Sequence, residues 1–201
     1  MIIRLEEEDD YLEVENMVRN SFWNIYRPGA FEHYIVHNLR EDESFIKDLD
    51  YVIENDDKII AHINYSKGKI DFANQKTADG VVLGPISVDV NYQNQGYGSK
   101  LIEHTLGLIE EMDIPLVFVI GDENYYHRFG FESASKYGIY LDGTDRTEEC
   151  PFFMIKVYKD KIKLTEGTFH NPDVFNVDEN DVDEFDKQFE FKEKLVLEGQ
   201  L

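Results

Sequence analysis

Apolar residues along this chain change their spacing several times, and each change marks an element. Ile2–Leu5 is a short apolar run that predicts a strand. Asp9–Phe22 then predicts a helix whose acidic start suits the positive end of the helix dipole. Pro28-Gly29 breaks that pattern, and from Phe31 to Arg40 helical spacing returns with Phe31, Tyr34, Ile35 and Leu39 on one face. Tyr51–Glu54 and Lys58–Tyr65 read as strands on either side of the turn Asn55-Asp56-Asp57. Ala78-Asp79-Gly80 leads into a denser stretch, where Val82, Leu83, Ile86, Val88 and Val90 suit a strand covered on both faces. Leu101, Ile102, Thr105, Leu108 and Ile109 recur at helical spacing. Pro115–Gly121 predicts another buried strand, and Gly138–Leu141 and Phe152–Tyr158 predict closing strands. Helices first, then an antiparallel hairpin, then a strand-helix-strand unit predict an α/β fold, a mixed sheet with helices on both faces.

After Lys161 the pattern changes. Asp173–Asp186 is rich in acids, with Val174, Phe175, Val177, Val182 and Phe185 spaced among them. A calcium loop, an interaction tail and a strap packed on the body are the readings to weigh. Taking Asp178 as a first calcium ligand puts Asp183 where glycine is needed and Phe189 where glutamate is needed, so that reading fails. The regular apolar residues favour a strap or short helix on the body with its acids facing water. The expected organisation is one domain over residues 1–160 and an acidic C-terminal extension, 161–201, packed on it.

A chain of 201 residues can bury one good core, or one domain and a small appendage. Its 42% hydrophobic content argues against wholesale disorder although 31% of residues are charged. The formal net charge of −22 argues against nucleic acid or an anionic membrane as partner, because 20 Lys and Arg face 42 Asp and Glu. No apolar run is long enough to span a bilayer, and no basic segment followed by an apolar stretch opens the chain. Cys150, the single cysteine, has no partner for an internal disulfide, so a reducing cytoplasm is the expected compartment. Packing beside Pro151 and Phe152 is its expected role.

The chemistry concentrates where the dense strand gives way to a helix. A helix start exposes unpaired N–H groups and the positive dipole end, which together attract phosphate. Gly96 and Gly98 remove side chains that would keep a diphosphate away. This is not a Walker loop, because Gly98 is followed by Ser99 and then Lys100 in the wrong order. Nor is it a Rossmann fingerprint, because Leu101 occupies the third glycine position. Gln93-Asn94-Gln95-Gly96-Tyr97-Gly98 matches Q/R-x-x-G-x-G/A, and it resembles the acetyl-CoA diphosphate loop of the GCN5-related N-acetyltransferases (GNAT). Ile86–Tyr92 is similar to the strand end that leads into that loop. Tyr126 stands four residues before Gly130-Phe131 and matches the family's Y-x-x-x-G-F element. The segments 32–40, 49–52 and 59–63 further resemble a bacterial subgroup of predicted acetyltransferases.

The resemblance implies a mostly antiparallel central sheet with one splayed parallel strand pair, and acetyl-CoA as cosubstrate with no metal. It implies that Gln93, Asn94, Gln95, Gly96, Tyr97, Gly98 and Ser99 hold the diphosphate. Backbone groups of Ile86 and Val88 would pair with the pantetheine arm. The Val88 N–H would stabilise the oxyanion, where a well-placed donor is worth roughly 3–4 kcal/mol. Tyr126 would act as general acid toward the leaving thiolate. No carboxylate occupies Gly84, Pro85 or Ser87, so the strand supplies no general base. Glu32, His33 and His37 lie on an early helix expected to border the acceptor cleft. His33 and His37 are spaced i, i+4, yet no third metal ligand accompanies them. His62, inside a predicted strand, is expected to be a hydrogen-bonded structural residue.

Two functional readings follow. One is an N-acetyltransferase in which a small-molecule or peptide amine attacks the thioester directly, with a homodimer, common among family members, as a form the resemblance allows. The other is a non-catalytic acyl-CoA sensor that uses its acidic tail to contact a partner.

Overall fold

The computed structural model describes residues 1–147, 150–158 and 162–200, whose contacts fall into two units. In chain order the first elements are β1 (Ile2–Leu5), α1 (Tyr11–Phe22), α2 (Glu32–Leu39), β2 (Tyr51–Asn55), β3 (Lys58–Phe72) and β4 (Thr77–Val88). Then come α3 (Tyr97–Glu111), β5 (Leu116–Ile120), α4 (Glu123–Tyr126), β6 (Glu132–Ser133), β7 (Ile139–Leu141) and β8 (Phe153–Val157). β9 (Gly167–His170) and α5 (Glu179–Asp186) end the series.

The first unit contains Met1–Asn64, Pro85–Ile102 and the chain from Val174 onward. β1 pairs antiparallel with β2, and β2 with β3, with Val52 opposite His62. The β2–β3 turn places Asp56 and Asp57 at φ 51 and 58, the left-handed pair that a two-residue hairpin requires and short polar side chains tolerate. Val14, Met17 and Val18 lie at helical spacing on α1, the helix that the sequence predicts. They pack with Val36, Val52 and Ile59 in one buried cluster, with Phe22 at its margin.

A charged network lies within this unit. Arg40, whose side chain is 2% exposed, bonds both carboxylate oxygens of Glu6 at 3.0 and 2.7 Å and Glu15 at 2.5 Å. Its guanidinium also lies 3.9 Å from the centre of the Tyr11 ring. His62 bonds Asp50 at 2.8 Å, so it has the structural role expected of it. Glu6, Asp50 and His62 bring ligand-type atoms within 4.8 Å of one another, and the Arg40 cation already sits on Glu6. Burial pushes the Glu6 carboxyl up to about 7 and Asp50 up to about 6, and holds the His62 imidazole down to about 4.

The second unit contains Tyr65–Gly84 and Glu103–Asp173. Here β4 runs parallel to β5, Val81 opposite Val117 and Val82 opposite Phe118. β8 pairs antiparallel with β5, and β6 with β8. β9 pairs antiparallel with the far end of β3 and parallel with β7. Phe118, Phe153 and Phe169 meet in its core, with Phe169 centred 4.4 Å from Phe118 and 5.1 Å from Phe153. β3 is buried on both faces from Ile59 to Ser66. It then alternates, with Lys67, Lys69 and Asp71 exposed. The result is a mixed, mostly antiparallel α/β fold, with the expected parallel pair β4–β5 and a second, short one, β7–β9.

β6 and β9 were not predicted, being too short for a periodic signal to emerge. β9 changes the reading of the C-terminal extension. Residues 167–170 are a strand of the second unit, and the chain from Val174 on belongs to the first. The boundary expected at 160/161 falls on residues outside the described ones.

The later part of that extension is a strap with one short helix, α5, whose N-cap Asp178 accepts from the Asn180 amide. Arg19, 1% exposed, bonds Asp186 through two nitrogens at 2.5 and 2.9 Å and lies 4.2 Å from the Trp23 ring centre. Asp186→Asn is expected to lower stability by about 1.5–3 kcal/mol at neutral pH, the worth of hydrogen bonds to a charged group. Burial alone would raise the Asp186 carboxyl, but the hydrogen bonds and charge of Arg19 hold it below the ordinary value. The stability it contributes is therefore complete above about pH 4 and is lost as pH falls through the lowered value. Urea unfolding at pH 7 and pH 3 should show the gap between variant and wild type closing in acid; a gap independent of pH would refute the pairing.

Candidate active site

β4 carries the site's backbone. Gly84 has φ +124, a conformation open to glycine, and the strand continues past the parallel ladder to Val88. At its end the Asp89 N–H bonds the Ile60 carbonyl at 2.9 Å. The Val88 carbonyl accepts the Ser21 hydroxyl at 2.8 Å and the Gln93 side-chain amide at 3.2 Å. The first of these bonds pins the C-terminal turn of α1 to the strand end.

The loop that follows is braced by its own side chains. Asp89 accepts the Asn91 amide at 2.8 Å and the Lys58 ammonium at 2.7 Å. Burial works against its charge, yet Lys58 and Asn91 hold its carboxyl below the ordinary value. The Gln95 side chain donates to the Asn91 carbonyl at 3.2 Å. Asn94 (φ +60) and Gly96 (φ +86) turn the chain into α3, and a Cβ at Gly96 would have no neighbour within 4 Å. The Lys100 N–H bonds the Gly96 carbonyl at 3.0 Å. Tyr97, Gly98 and Ser99 stand ahead of that bond, in the first turn, where helix amides have no intrahelical acceptor. Gln93–Gly96 are exposed to solvent, whereas Gly98 in the first turn of α3 is buried. The positions that the sequence singles out from Ile86 to Ser99 thus lie on one continuous strand-loop-helix segment of the first unit.

Tyr126 belongs to the second unit, in a single helical turn begun by Asp122, whose carboxylate accepts the Asn124 amide at 3.0 Å. The ring is 7% exposed and fills the space that a side chain on Gly121 would need, since a Cβ there would lie 2.6 Å from Tyr126 Cε2. Edge-on contacts to Tyr125 and Phe131, centred 5.1 and 5.8 Å away, fix its tilt. In the same unit the Tyr65 hydroxyl bonds Thr105 Oγ1 at 2.8 Å. Burial first, and then the fields of Tyr126 and Tyr158, keep Tyr65 protonated well above the ordinary phenol range.

The early helix divides its candidates. Glu32 turns back to accept the Phe31 amide at 3.0 Å, and burial raises its carboxyl above the ordinary value. His33, expected at an acceptor cleft, is instead fully enclosed. Its Nε2 lies 3.2 Å from Asp186 Oδ1, and its ring meets Phe185 and Phe189 of the strap at 5.5 and 5.4 Å. Burial lowers its imidazole to about 4, so it packs there as a neutral ring. The sequence could not show this, because the strap that covers it comes some 150 residues later. His37 bonds Glu15 at 2.9 Å. Two residues that the sequence reading passed over enter here: Ser21, on the Val88 carbonyl, and Arg27, stacked on Phe31 with its charge acting on Glu32. Ser21 carried no signal of its own, whereas Arg27 stands before the Pro28-Gly29 break, where a cation joins a turn.

Residues 3–134 match the family model described as an acetyltransferase (GNAT) domain. The N-acetyltransferase YhbS of Escherichia coli K12 is 28% identical over 139 residues, 69% of this chain and 78% of that protein. The crystal structure of Escherichia coli YhbS in complex with CoA superposes with a TM-score of 0.74 at 25% identity, covering 88% of this chain and 92% of that one. A GNAT family acetyltransferase from Brucella melitensis, in complex with acetyl-CoA, shares the fold with a TM-score of 0.67 at 24% identity, over 87% of this chain and 97% of that one.

Proposed function

Because the chain belongs to the acetyltransferase (GNAT) family, we propose that it transfers an acetyl group from acetyl-CoA to a primary amine by direct attack. The observation that carries this reading is the solvent-exposed Gln93–Gly96 loop that leads from β4 into the first turn of α3, where helix amides have no intrahelical acceptor. A strongly acidic chain holds a polyanion better with main-chain N–H groups than with the few cations it possesses. The diphosphate would rest on the amides from Asn94 to Ser99, with the Ser99 hydroxyl as a further donor. Gln93 would contribute by bracing the loop on the Val88 carbonyl.

Successive strand amides face opposite edges, and Asp89 donates toward β3, so the Val88 N–H is directed away from β3. That donor would take the thioester oxygen as it becomes an oxyanion, and Ile86, two residues earlier on the same edge, would pair with the pantetheine arm. The ammonium loses one proton to water, the free amine nitrogen bonds the thioester carbon, and the adduct gives up a second proton to solvent. The carbon–sulfur bond breaks, the thiolate takes the proton of the Tyr126 hydroxyl, and water returns a proton to the phenolate. Glu32 would face the acceptor side. The reducing cytoplasm and an acceptor that is neither nucleic acid nor membrane belong to the same proposal.

Release of free thiol from acetyl-CoA across an amine panel tests the activity. Tight CoA binding without thiol release from any amine would instead mark an acyl-CoA sensor. Gly96→Val should weaken CoA binding by more than tenfold; its Cβ meets open space, but a β-branched residue is strained at φ +86, so the melting temperature should fall as well and binding is compared at a temperature where the variant stays folded. Unchanged affinity for CoA would contradict the loop's role.

A further inference from the structure

Arg27 is an unusual residue for so acidic a chain. It lies on the tip of a closed loop, in which the Asn24 amide donates to the Gly29 carbonyl at 2.8 Å and the Gly29 amide donates to Asn24 Oδ1 at 2.8 Å. The strap holds that loop from outside. The Glu193 carbonyl accepts from Trp23 Nε1 at 3.0 Å and from Asn24 Nδ2 at 3.1 Å, and the Leu195 amide donates to Asn24 Oδ1 at 3.0 Å. Arg27 is therefore presented on a rigid frame. Its guanidinium lies 4.1 Å from the Phe31 ring centre, and its Nε is sealed from solvent without a hydrogen-bond partner. Among the described residues it forms no ion pair, although Asp and Glu number 42 in the chain. Arg4, Arg19 and Arg40 of the same unit each engage carboxylates.

The frame starts beside the strand end proposed to hold the thioester. Ser21, six residues before Arg27, donates to the Val88 carbonyl at 2.8 Å. Five residues after Arg27 stands Glu32, whose carboxylate lies within the field of Arg27. An orphaned guanidinium fork stacked on an aromatic ring matches the planar geometry of a carboxylate. A phosphate dianion would need a second cation and would be repelled by Glu32. An ammonium near Glu32 would be attracted.

We propose that Arg27 is a specificity residue that binds a carboxylate of the acceptor, and that the acceptor is a zwitterionic amine of the amino-acid type. This rests on the acetyl-transfer reading and deepens it. The test measures thiol release from acetyl-CoA with common α-amino acids, each beside its α-carboxamide, and with spermidine as an amine without a carboxylate. Wild-type turnover should favour the carboxylates. Arg27→Gln should raise KM for them by roughly 10- to 100-fold, the worth of a charged hydrogen-bonded pair, with kcat and the KM for acetyl-CoA little changed. Arg27→Lys should recover part of the loss, and the melting temperature of both variants should match the wild type. Equal turnover of carboxylates and carboxamides, a preference for spermidine, or an Arg27→Gln enzyme indistinguishable from wild type would overturn the proposal and leave acetyl transfer standing. No thiol release with any amine would overturn both.

Discussion

Tyr126→Phe is expected to lower kcat by roughly 10²- to 10⁴-fold, the usual worth of a positioned general acid, while the KM for acetyl-CoA changes little. Phenylalanine keeps the ring that fills the space over Gly121 and meets Tyr125 and Phe131 edge-on, so the fold should be preserved. Only the hydroxyl is lost. The thiolate that leaves is that of CoA, so the deficit should appear in the chemical step, read by single-turnover formation of free thiol. A thioester with a more acidic thiol should narrow it, because a better leaving group needs less help from an acid. A variant with kcat within twofold of wild type would remove Tyr126 from the proton path, and the packing contacts would then be its whole role.

Arg40→Leu is expected to destabilise the protein by about 3–5 kcal/mol, since removing one partner of a buried ion network leaves the others uncompensated. Glu6 and Glu15 would both lose the guanidinium that bonds them at 2.7 and 2.5 Å. The penalty should depend on pH in a definite direction. Burial already pushes the Glu6 carboxyl up to about 7, so its proton uptake stabilises the folded chain in acid. That contribution is lost as pH rises through the raised value. Without Arg40 the gain from protonation grows, so the deficit measured in urea should be greatest near pH 8 and shrink toward pH 5.5. His62, held down to about 4, works in the opposite sense and is common to both proteins. A deficit that grew on acidification would show that Glu6 remains charged in the variant and that Arg40 is not its principal partner.

Local pattern reached far in this chain because the elements that carry the site are long or strongly punctuated. The hairpin strands about Asn55-Asp56-Asp57, the helical spacing of Leu101, Ile102, Thr105, Leu108 and Ile109, and the glycines between β4 and α3 each depend on neighbours close in sequence. The segment proposed to bind the coenzyme, from Ile86 to Ser99, was legible for the same reason: strand, loop and helix start are consecutive, so their residues lie together however the rest of the chain folds.

What the pattern could not carry were contacts made across long separations. His33 looked free to serve a substrate until Asp186, Phe185 and Phe189 closed over it, and β9 was four residues whose strand partners are Lys69–Phe72 and Ile139–Leu141. The network of Glu6, Glu15, Arg40, Asp50 and His62 joins residues from five elements and turns, none of which names its partners. Arg27 is the converse case, a charge that forms no ion pair among the described residues. By itself the sequence determined which segments become strand or helix and where donor amides accumulate, because those follow from spacing and from backbone freedom at glycine. Only the tertiary structure decided which polar side chains are consumed by one another and which are left to meet a ligand, because ion pairing and burial are settled by atoms brought together from distant parts of the chain.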